Sequence, residues 1–119
     1  MATQWSDSIV VAELEDEPSL SEELSALFDR ASKAPTDKVP NMVLNLARVS
    51  YISSSNLAQL LRLRKRLTEA SRQIRICCVS DEVWSVLLVT GLDKVFRFSP
   101  DVMTALAGLQ IESERSAKG

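Results

Sequence analysis

Two neighbouring segments decide the fold of this chain: Met42-Val43-Leu44-Asn45-Leu46-Ala47 and Ile52-Ser53-Ser54-Ser55-Asn56-Leu57. The first is a run of mostly apolar residues, which predicts a strand buried on both faces. The second is a polar turn followed by leucines at three- and four-residue intervals, which predicts an amphipathic helix to about Ser71. Its expected inner face includes Leu61, whereas Arg66 is expected to face solvent. The stretch therefore predicts a strand, a short turn and a helix.

The same alternation continues on both sides of this stretch. Further strands are predicted at 3–5, 9–14, 73–79 and 95–98. Further helices are predicted from Pro18-Ser19 through Ala31 and at 81–90 and 101–109, with Gly91 ending the second of these. Short connections between alternating elements predict an α/β domain with a mixed, mostly parallel sheet of four to five strands and about four helices. We expect this domain to span residues 1–111 and residues 112–119 to form a disordered tail.

The chain has 119 residues, no histidine, and glycines only at positions 91, 108 and 119. The missing histidine excludes a histidine-based catalytic triad and a histidine-ligated metal site. The missing early glycines exclude a phosphate-binding loop and a dinucleotide-binding fingerprint in the first 90 residues. A serine nucleophile would also lack its usual base. We therefore expect a protein that is not an enzyme and that uses no metal and no cofactor.

Charge is distributed unevenly, although the formal net charge is only −2. Residues 1–34 contain eight acidic and two basic residues, whereas residues 62–75 contain six basic residues and one acidic residue. The basic residues of this second segment are Arg62, Arg64, Lys65, Arg66, Arg72 and Arg75. Two oppositely charged faces on one small domain favour a protein partner over nucleic acid. The alternative is that the basic segment is simply a solvated helix face.

The N-terminus shows no signal peptide, and the longest apolar run, residues 86–89, is too short to cross a membrane. Cys77 and Cys78 are adjacent and are expected to point to opposite faces of a strand. Buried, reduced thiols are typical of a cytoplasmic protein, and redox chemistry is the alternative role for this pair. We therefore expect a cytoplasmic location without membrane attachment.

The turn formed by Ser53, Ser54, Ser55 and Asn56 has two interpretations. Serine and asparagine cap helices by accepting hydrogen bonds from free amides of the first turn, and Asn56 with Gln59 has the spacing of a capping box. Alternatively, one serine is a phosphoacceptor, because a helix N-terminus accommodates a phosphate beside its free amides. Both interpretations remain open on the residues alone.

Two regions of the chain resemble STAS domains, the family of the bacterial anti-sigma factor antagonists. Residues 43–46 with 51–57 are similar to the family's strand, Asp-Ser-Ser/Thr-Gly-Leu-Gly turn and helix. Residues 79–84 with 88–96 are similar to a second motif, which ends in Thr-Gly-Leu and a phenylalanine. The resemblance covers residues 41–109 well and residues 8–33 in pattern only. It implies a single STAS-like domain.

The resemblance also implies a function in signal transduction and transcription regulation through protein–protein interaction. In this resemblance, Ser54 matches the serine that is phosphorylated in the phosphoproteins of the family. Ser55 matches the serine or threonine that follows it. The implied partners are an anti-sigma factor that is itself a serine kinase and a serine phosphatase that reverses the modification. The implied protein is a monomer or weak dimer that binds neither nucleic acid nor membrane. The expected partner-binding residues are Leu57, Gln59, Arg62, Glu15 and Asp16.

The sequence departs from the family pattern at three places. Ser53 stands where the family usually has aspartate. Asn56 stands where it has glycine, which predicts a larger side chain where a kinase would approach. Residues 15–17 only approximate the family's Gly-Glu-Leu-Asp stretch. Two alternatives therefore stay open: a constitutive scaffold or sensor subunit without phosphorylation, and a STAS domain that binds a small ligand.

Overall fold

The structure is a computed structural model that describes the backbone of residues 2–118 and the side chains of residues 2–111. Its strands are β1 (Ala2–Ser6), β2 (Ile9–Glu15), β3 (Asn41–Arg48), β4 (Ile74–Cys77) and β5 (Arg97–Ser99). Its α-helices are α1 (Ser19–Lys33), α2 (Ser54–Glu69), α3 (Asp81–Thr90) and α4 (Val102–Lys118). Single 3-10 turns lie at Thr36–Lys38 and Leu92–Lys94. The predicted α/β class, the mixed sheet and the helix number are confirmed.

The five strands form one sheet in sequence order, from β1 to β5. The β1–β2 pair is antiparallel, and the other three pairs are parallel. Because side chains alternate along a strand, β3 sends Met42, Leu44 and Leu46 into a core covered by α1, α2 and α3. Val43 enters a smaller core on the other face, which α4 covers through Ala105 and its neighbours. The β3 strand is therefore buried on both faces along most of its length, as the apolar run predicts.

The β4 strand is shorter than predicted. It ends at Cys77 because Cys78 adopts a φ of 62°, which lies outside the strand region. The two cysteines therefore do not occupy opposite faces of one strand, and that expectation was wrong. Both are free thiols: Cys77 is buried and Cys78 half-buried. Burial, together with a hydrogen bond to Cys78, raises the pKa of the Cys77 thiol to about 12, so Cys77 stays protonated at neutral pH.

The last third of the chain differs from the prediction in two further places. Helix α3 ends at Gly91 as predicted, with the glycine at a φ of 77°, but a 3-10 turn follows and delays β5 to Arg97. Helix α4 is longer than expected and extends to Lys118. Residues 112–119, the predicted tail, lie outside the part of the chain whose side chains are described, so the predicted domain limits stay a prediction.

Within the described residues, no helix is both long and apolar enough to cross a membrane.

Helix α2 is rotated slightly from the predicted orientation. Leu57, Leu60, Leu63 and Leu67 form its buried face, whereas the side chain of Leu61 is 39% exposed. The expectation that Leu61 faces the core was therefore wrong, and Leu63 takes that place. Arg66 was expected in solvent, but it is half-buried, and its guanidinium donates hydrogen bonds to the carbonyl oxygens at the C-terminal end of α1. These bonds satisfy carbonyl groups that a helix end leaves unpaired.

Candidate functional site

The serine-rich turn joins the carboxyl end of β3 to the start of α2. Ser53 is the N-cap, and its Oγ accepts a hydrogen bond from the backbone N–H of Asn56 at 3.2 Å. In return, Oδ1 of Asn56 accepts from the backbone N–H of Ser53 at 3.0 Å and from its hydroxyl at 2.9 Å. The turn is therefore a reciprocal capping box with Asn56 at N3. The capping box was expected between Asn56 and Gln59, one helical turn later than its position in the structure.

The side chain of Asn56 points into the protein. It is fully buried at 0% exposure, and its Nδ2 lies 3.3 Å from each of three acceptors: Glu17 Oε2, Ser21 Oγ and Gln59 Oε1. The expectation that Asn56 stands where a kinase approaches was therefore wrong. The asparagine instead joins α2 to the start of α1, and buried polar groups are retained only with such partners.

Asp16 holds the segment that precedes the turn. Its Oδ1 accepts from the backbone N–H groups of Ser50 at 2.9 Å and Tyr51 at 3.3 Å, and its Oδ2 accepts from the Ser50 hydroxyl at 2.6 Å. The hydrogen bonds from Ser50 hold the pKa of the Asp16 carboxyl below its ordinary value. Ser50 and Tyr51 are thereby fixed in front of the turn.

Glu17 holds the other side of the turn. Its Oε1 accepts from the backbone N–H of Ser21 at 2.6 Å, and its Oε2 accepts from the hydroxyl of the same residue. These bonds, with that from Asn56, lower the pKa of Glu17. Gln59 completes the junction by donating to the carbonyl oxygen of Ser21 at 3.1 Å and to the hydroxyl of Ser25 at 3.2 Å. Within the acidic loop 15–17, Asp16 and Glu17 thus brace the turn internally.

Ser54 and Ser55, the first two residues of α2, are exposed to solvent. Among the described residues neither hydroxyl has a hydrogen-bond partner, whereas the hydroxyl of Ser53 has two. The backbone N–H groups at these two positions precede the point where intrahelical bonding begins, so they remain available to an anion. The geometry presents two unoccupied hydroxyls at the positive end of a helix, on a rigid support.

The other predicted site residues lie at different depths. Leu57, expected on the partner surface, is only 9% exposed and packs in the main core, so this expectation is corrected. Glu15 is exposed and forms an ion pair with Arg48 at 3.2 Å. Arg62 is exposed and, with Gln59, Leu24 and Phe28, lines a shallow groove of about 200 Å³ between α1 and α2. The serine-rich turn and the start of this groove therefore lie about one helical turn apart along α2.

Sequence reasoning missed the polar junction around Asn56, although one signal for it was present. Asn56 is separated from Leu60, Leu63 and Leu67 by the helical spacing of a single face, which places it at the end of the buried stripe. A polar residue in such a position needs internal partners. Which residues supply them, Glu17 and Ser21, depends on the packing of α1 beside α2 and is not readable from local pattern.

Comparison with known proteins gives a consistent result. A family model of the STAS domain matches residues 3–105. An anti-sigma-factor antagonist STAS domain protein from Planctomyces limnophilus superposes with a TM-score of 0.77 at 21% identity, covering 92% of this chain and 97% of that one. The phosphorylated form of SpoIIAA from Bacillus gives 0.68 at 15% identity, with coverages of 90% and 96%. The STAS domain of a SulP transporter from Vibrio cholerae gives 0.77 at 16% identity, with coverages of 95% and 88%.

Proposed function

This chain belongs to the STAS domain family, and from that membership we propose that it is a bacterial anti-sigma factor antagonist, a cytoplasmic binding module switched by phosphorylation of Ser54. The observation that carries the proposal is the exposed hydroxyl of Ser54 at the start of α2, which has no hydrogen-bond partner among the described residues. Ser55 is equally exposed, and the resemblance to the family motif selects Ser54 between the two. Ser53 and Asn56 bond to each other and leave that hydroxyl free. The cap and the proposed phosphoacceptor are thus separate residues, so the two interpretations of the serine-rich turn are compatible.

A phosphate on Ser54 would be tolerated by the fold. It would lie beside the free amides and the positive end of the α2 dipole, which stabilise negative charge. It would also add roughly −1.5 to −2 charges to a turn whose residues 53–56 carry none. The modification therefore changes the surface that a partner meets and leaves the core in place. This combination suits a reversible docking switch.

The proposed docking surface comprises the turn, the exposed side of α2 and the edge of the acidic loop. Ser54, Ser55, Gln59, Arg62 and Glu15 supply its polar groups. Leu57 supports the surface from the core, and Asp16 fixes the adjacent backbone instead of contacting the partner. The partner that fits this role is an anti-sigma factor that is also a serine kinase, with a serine phosphatase to restore the free hydroxyl. Catalysis then resides in the partners, and this chain is not an enzyme.

A constitutive scaffold or sensor subunit is the second candidate, and Ser53 favours it. The family usually has an aspartate at this position, whereas here a serine hydroxyl is used for capping, so the phosphoacceptor lacks an adjacent carboxylate. A scaffold would bind its partner through the same surface without a change in charge. Phosphorylation therefore separates the two candidates.

The test is incubation of the purified chain with anti-sigma factor serine kinases and ATP, followed by intact-mass measurement. The proposal expects a gain of one phosphate in the wild type and in Ser55→Ala, and no gain in Ser54→Ala. Ser55→Ala is the matched control because the two serines are adjacent and exposed, and neither hydroxyl has a partner in the part of the chain whose side chains are described. If a kinase that binds the chain adds no mass, the scaffold is favoured. A gain of phosphate mass that persists in Ser54→Ala would mean that another residue is phosphorylated.

A further inference from the structure

The outer surface of the helix layer carries exposed apolar side chains. Because right-handed connections join the parallel strands in sequence order, α1, α2 and α3 lie side by side on one face of the sheet. On α3, the adjacent side chains of Leu88 and Val89 are 51% and 88% exposed, and on α2 Leu61 is exposed as well. Single exposed apolar residues are common in proteins, whereas neighbouring ones on one surface indicate an interaction site.

The same α3 helix is acidic and contains no basic residue. Asp81 and Glu82 form its first turn, and both are exposed. In the part of the chain whose side chains are described, neither carboxylate forms an ion pair. The exposed side of α3 is therefore an acidic turn followed by apolar residues. A helix of this kind fits a groove that combines apolar surface with positive charge.

A groove of this kind lies between α1 and α2. Two cavities of about 200 and 310 Å³ share Phe28 and Arg62 in their walls, so they form one continuous groove. Leu24 and the half-buried Phe28 supply apolar surface, and the exposed Arg62 and Lys65 supply positive charge. Along α1 the groove extends from Leu24 to Ser32. That distance is about 12 Å, similar to the length of about 15 Å of the α3 helix.

The two exposed cations of the groove are available to an acidic partner. Among the residues with described side chains, neither Arg62 nor Lys65 forms an ion pair. Arg66 also lines the groove, but its guanidinium donates to carbonyl oxygens of α1. Asp29 and Glu69 line it as well, so the charge of the groove is mixed. Complementarity to α3 therefore comes from the two cations one turn apart on α2.

A second copy of this chain presents the groove and the α3 surface together. A two-fold axis that brings α3 of one copy to the groove of the other also brings the second α3 to the first groove, because an isologous contact is made twice. Since both surfaces lie on the same helix layer, the two copies face each other through these layers. The assembly is then closed, and each contact pairs apolar surface with apolar surface and acidic groups with basic groups.

We propose that this chain forms a two-fold symmetric dimer in which α3 of each copy docks into the groove between α1 and α2 of the other. Leu88 and Val89 of one copy contact Phe28 of the other. Glu82 of one copy lies beside Lys65 of the other. The contact is small, so the dimer is weak and depends on protein concentration. The proposal does not rest on the phosphorylation switch, because it involves this chain alone.

Sedimentation equilibrium of the full chain, from micromolar to millimolar concentration, tests the dimer. The average mass is expected to rise reversibly from that of one chain to that of two. Val89→Lys is expected to weaken dimerisation at least tenfold, because it places a charge within the apolar contact. Met103→Lys is the matched control, since Met103 is also an exposed apolar residue on a helix, but α4 covers the opposite face of the sheet. It is expected to change the dissociation constant less than twofold.

An exchange of charges tests which two surfaces meet. Lys65→Glu and Glu82→Lys are each expected to weaken dimerisation at least tenfold, because each brings like charges together at both contacts. An equimolar mixture of the two variants is expected to dimerise within threefold of the wild type, because opposite charges then face each other at both contacts. Circular dichroism verifies that each variant is folded. Leu88→Lys replaces Val89→Lys, with the same expected loss, if the latter does not fold.

Four results would overturn the proposal. They are the mass of one chain at every concentration, growth to species larger than two chains, equal effects of Val89→Lys and Met103→Lys, and a mixture of charge variants that does not recover. Equal effects would assign the change to the added charge itself. A mixture without recovery would assign the contact to other surfaces. None of these results bears on phosphorylation of the serine-rich turn, so the proposed function is tested separately.

Discussion

The side-chain amide nitrogen of Asn56, Nδ2, lies 3.3 Å from the carboxylate oxygen Oε2 of Glu17, a residue 39 positions earlier in the chain. This contact ties the first turn of α2 to the loop that leads into α1. Asn56 also closes the capping box with Ser53, so one buried side chain supports both the local turn and the junction between two helices. Ser54 lies between these two capping residues, at the exposed first position of α2.

Replacement of Asn56 by alanine is expected to lower the free energy of unfolding by about 1–3 kcal/mol, because it removes the bonds to Ser53, Glu17 and Ser21 from a buried location. Urea unfolding followed by circular dichroism measures this loss. Ser55→Ala is the control in the same turn, with a change expected within about 0.5 kcal/mol, since its hydroxyl is exposed. Equal stability of the two variants would show that the junction contributes little.

The hydrogen bonds to Glu17 predict a specific dependence of stability on pH. Its pKa in the folded state is held below the ordinary value of 4.5 by the bonds from Ser21. A lowered carboxyl pKa stabilises the folded state above the pKa of the unfolded chain, and this stabilisation is lost as pH falls through the folded-state pKa. Glu17→Gln is therefore expected to be less stable than the wild type at pH 7, with a difference that shrinks as pH falls below 4.5. Urea unfolding between pH 7 and pH 3 measures it, and a difference that does not vary with pH would contradict this account.

The exposure of neighbouring leucines on α2 predicts unequal effects of substitution. Leu60 is 1% exposed and Leu61 is 39% exposed. Leu60→Ala is expected to cost about 2–5 kcal/mol, because it removes buried methyl groups and leaves a cavity. Leu61→Ala is expected to cost less than about 1 kcal/mol, because much of its surface is already in water. Thermal or urea unfolding compares the pair, and similar losses would mean that α2 is rotated toward the orientation predicted from sequence.

Most of the fold could be predicted because it depends on local patterns. The apolar run at residues 42–47 and the leucine spacing after Ser53 identify a buried strand and the helix that covers it. The short β4 strand could not be predicted, because residues 73–79 have strand character throughout and only the positive φ of Cys78 ends the strand. The buried face of α2 was predicted except at Leu61, since Leu61 and Leu63 fit the same spacing rules and tertiary packing chooses between them.

The site was predicted less completely than the fold. The turn at residues 53–56 stands out by composition, and the structure places it at the start of α2 as expected. Ser53 and Asn56, three positions apart, form the cap within the turn. The contacts that no local pattern contains are those by which Asp16 and Glu17 brace the turn from the β2–α1 loop. Those contacts join residues more than 30 positions apart. They explain why the acidic loop, expected to contact a partner, is used largely within the domain.

The central claim is that a negative charge at Ser54 changes partner binding and leaves the fold intact. The most direct measurement compares the affinities of the wild type, Ser54→Asp and Ser55→Asp for a purified anti-sigma factor kinase, together with their thermal unfolding. We predict that Ser54→Asp binds at least tenfold more weakly, that Ser55→Asp is less affected, and that all three unfold at similar temperatures, because an acidic residue is stabilising at a helix start. Equal affinity of the wild type and Ser54→Asp for a kinase that binds this chain would contradict the claim.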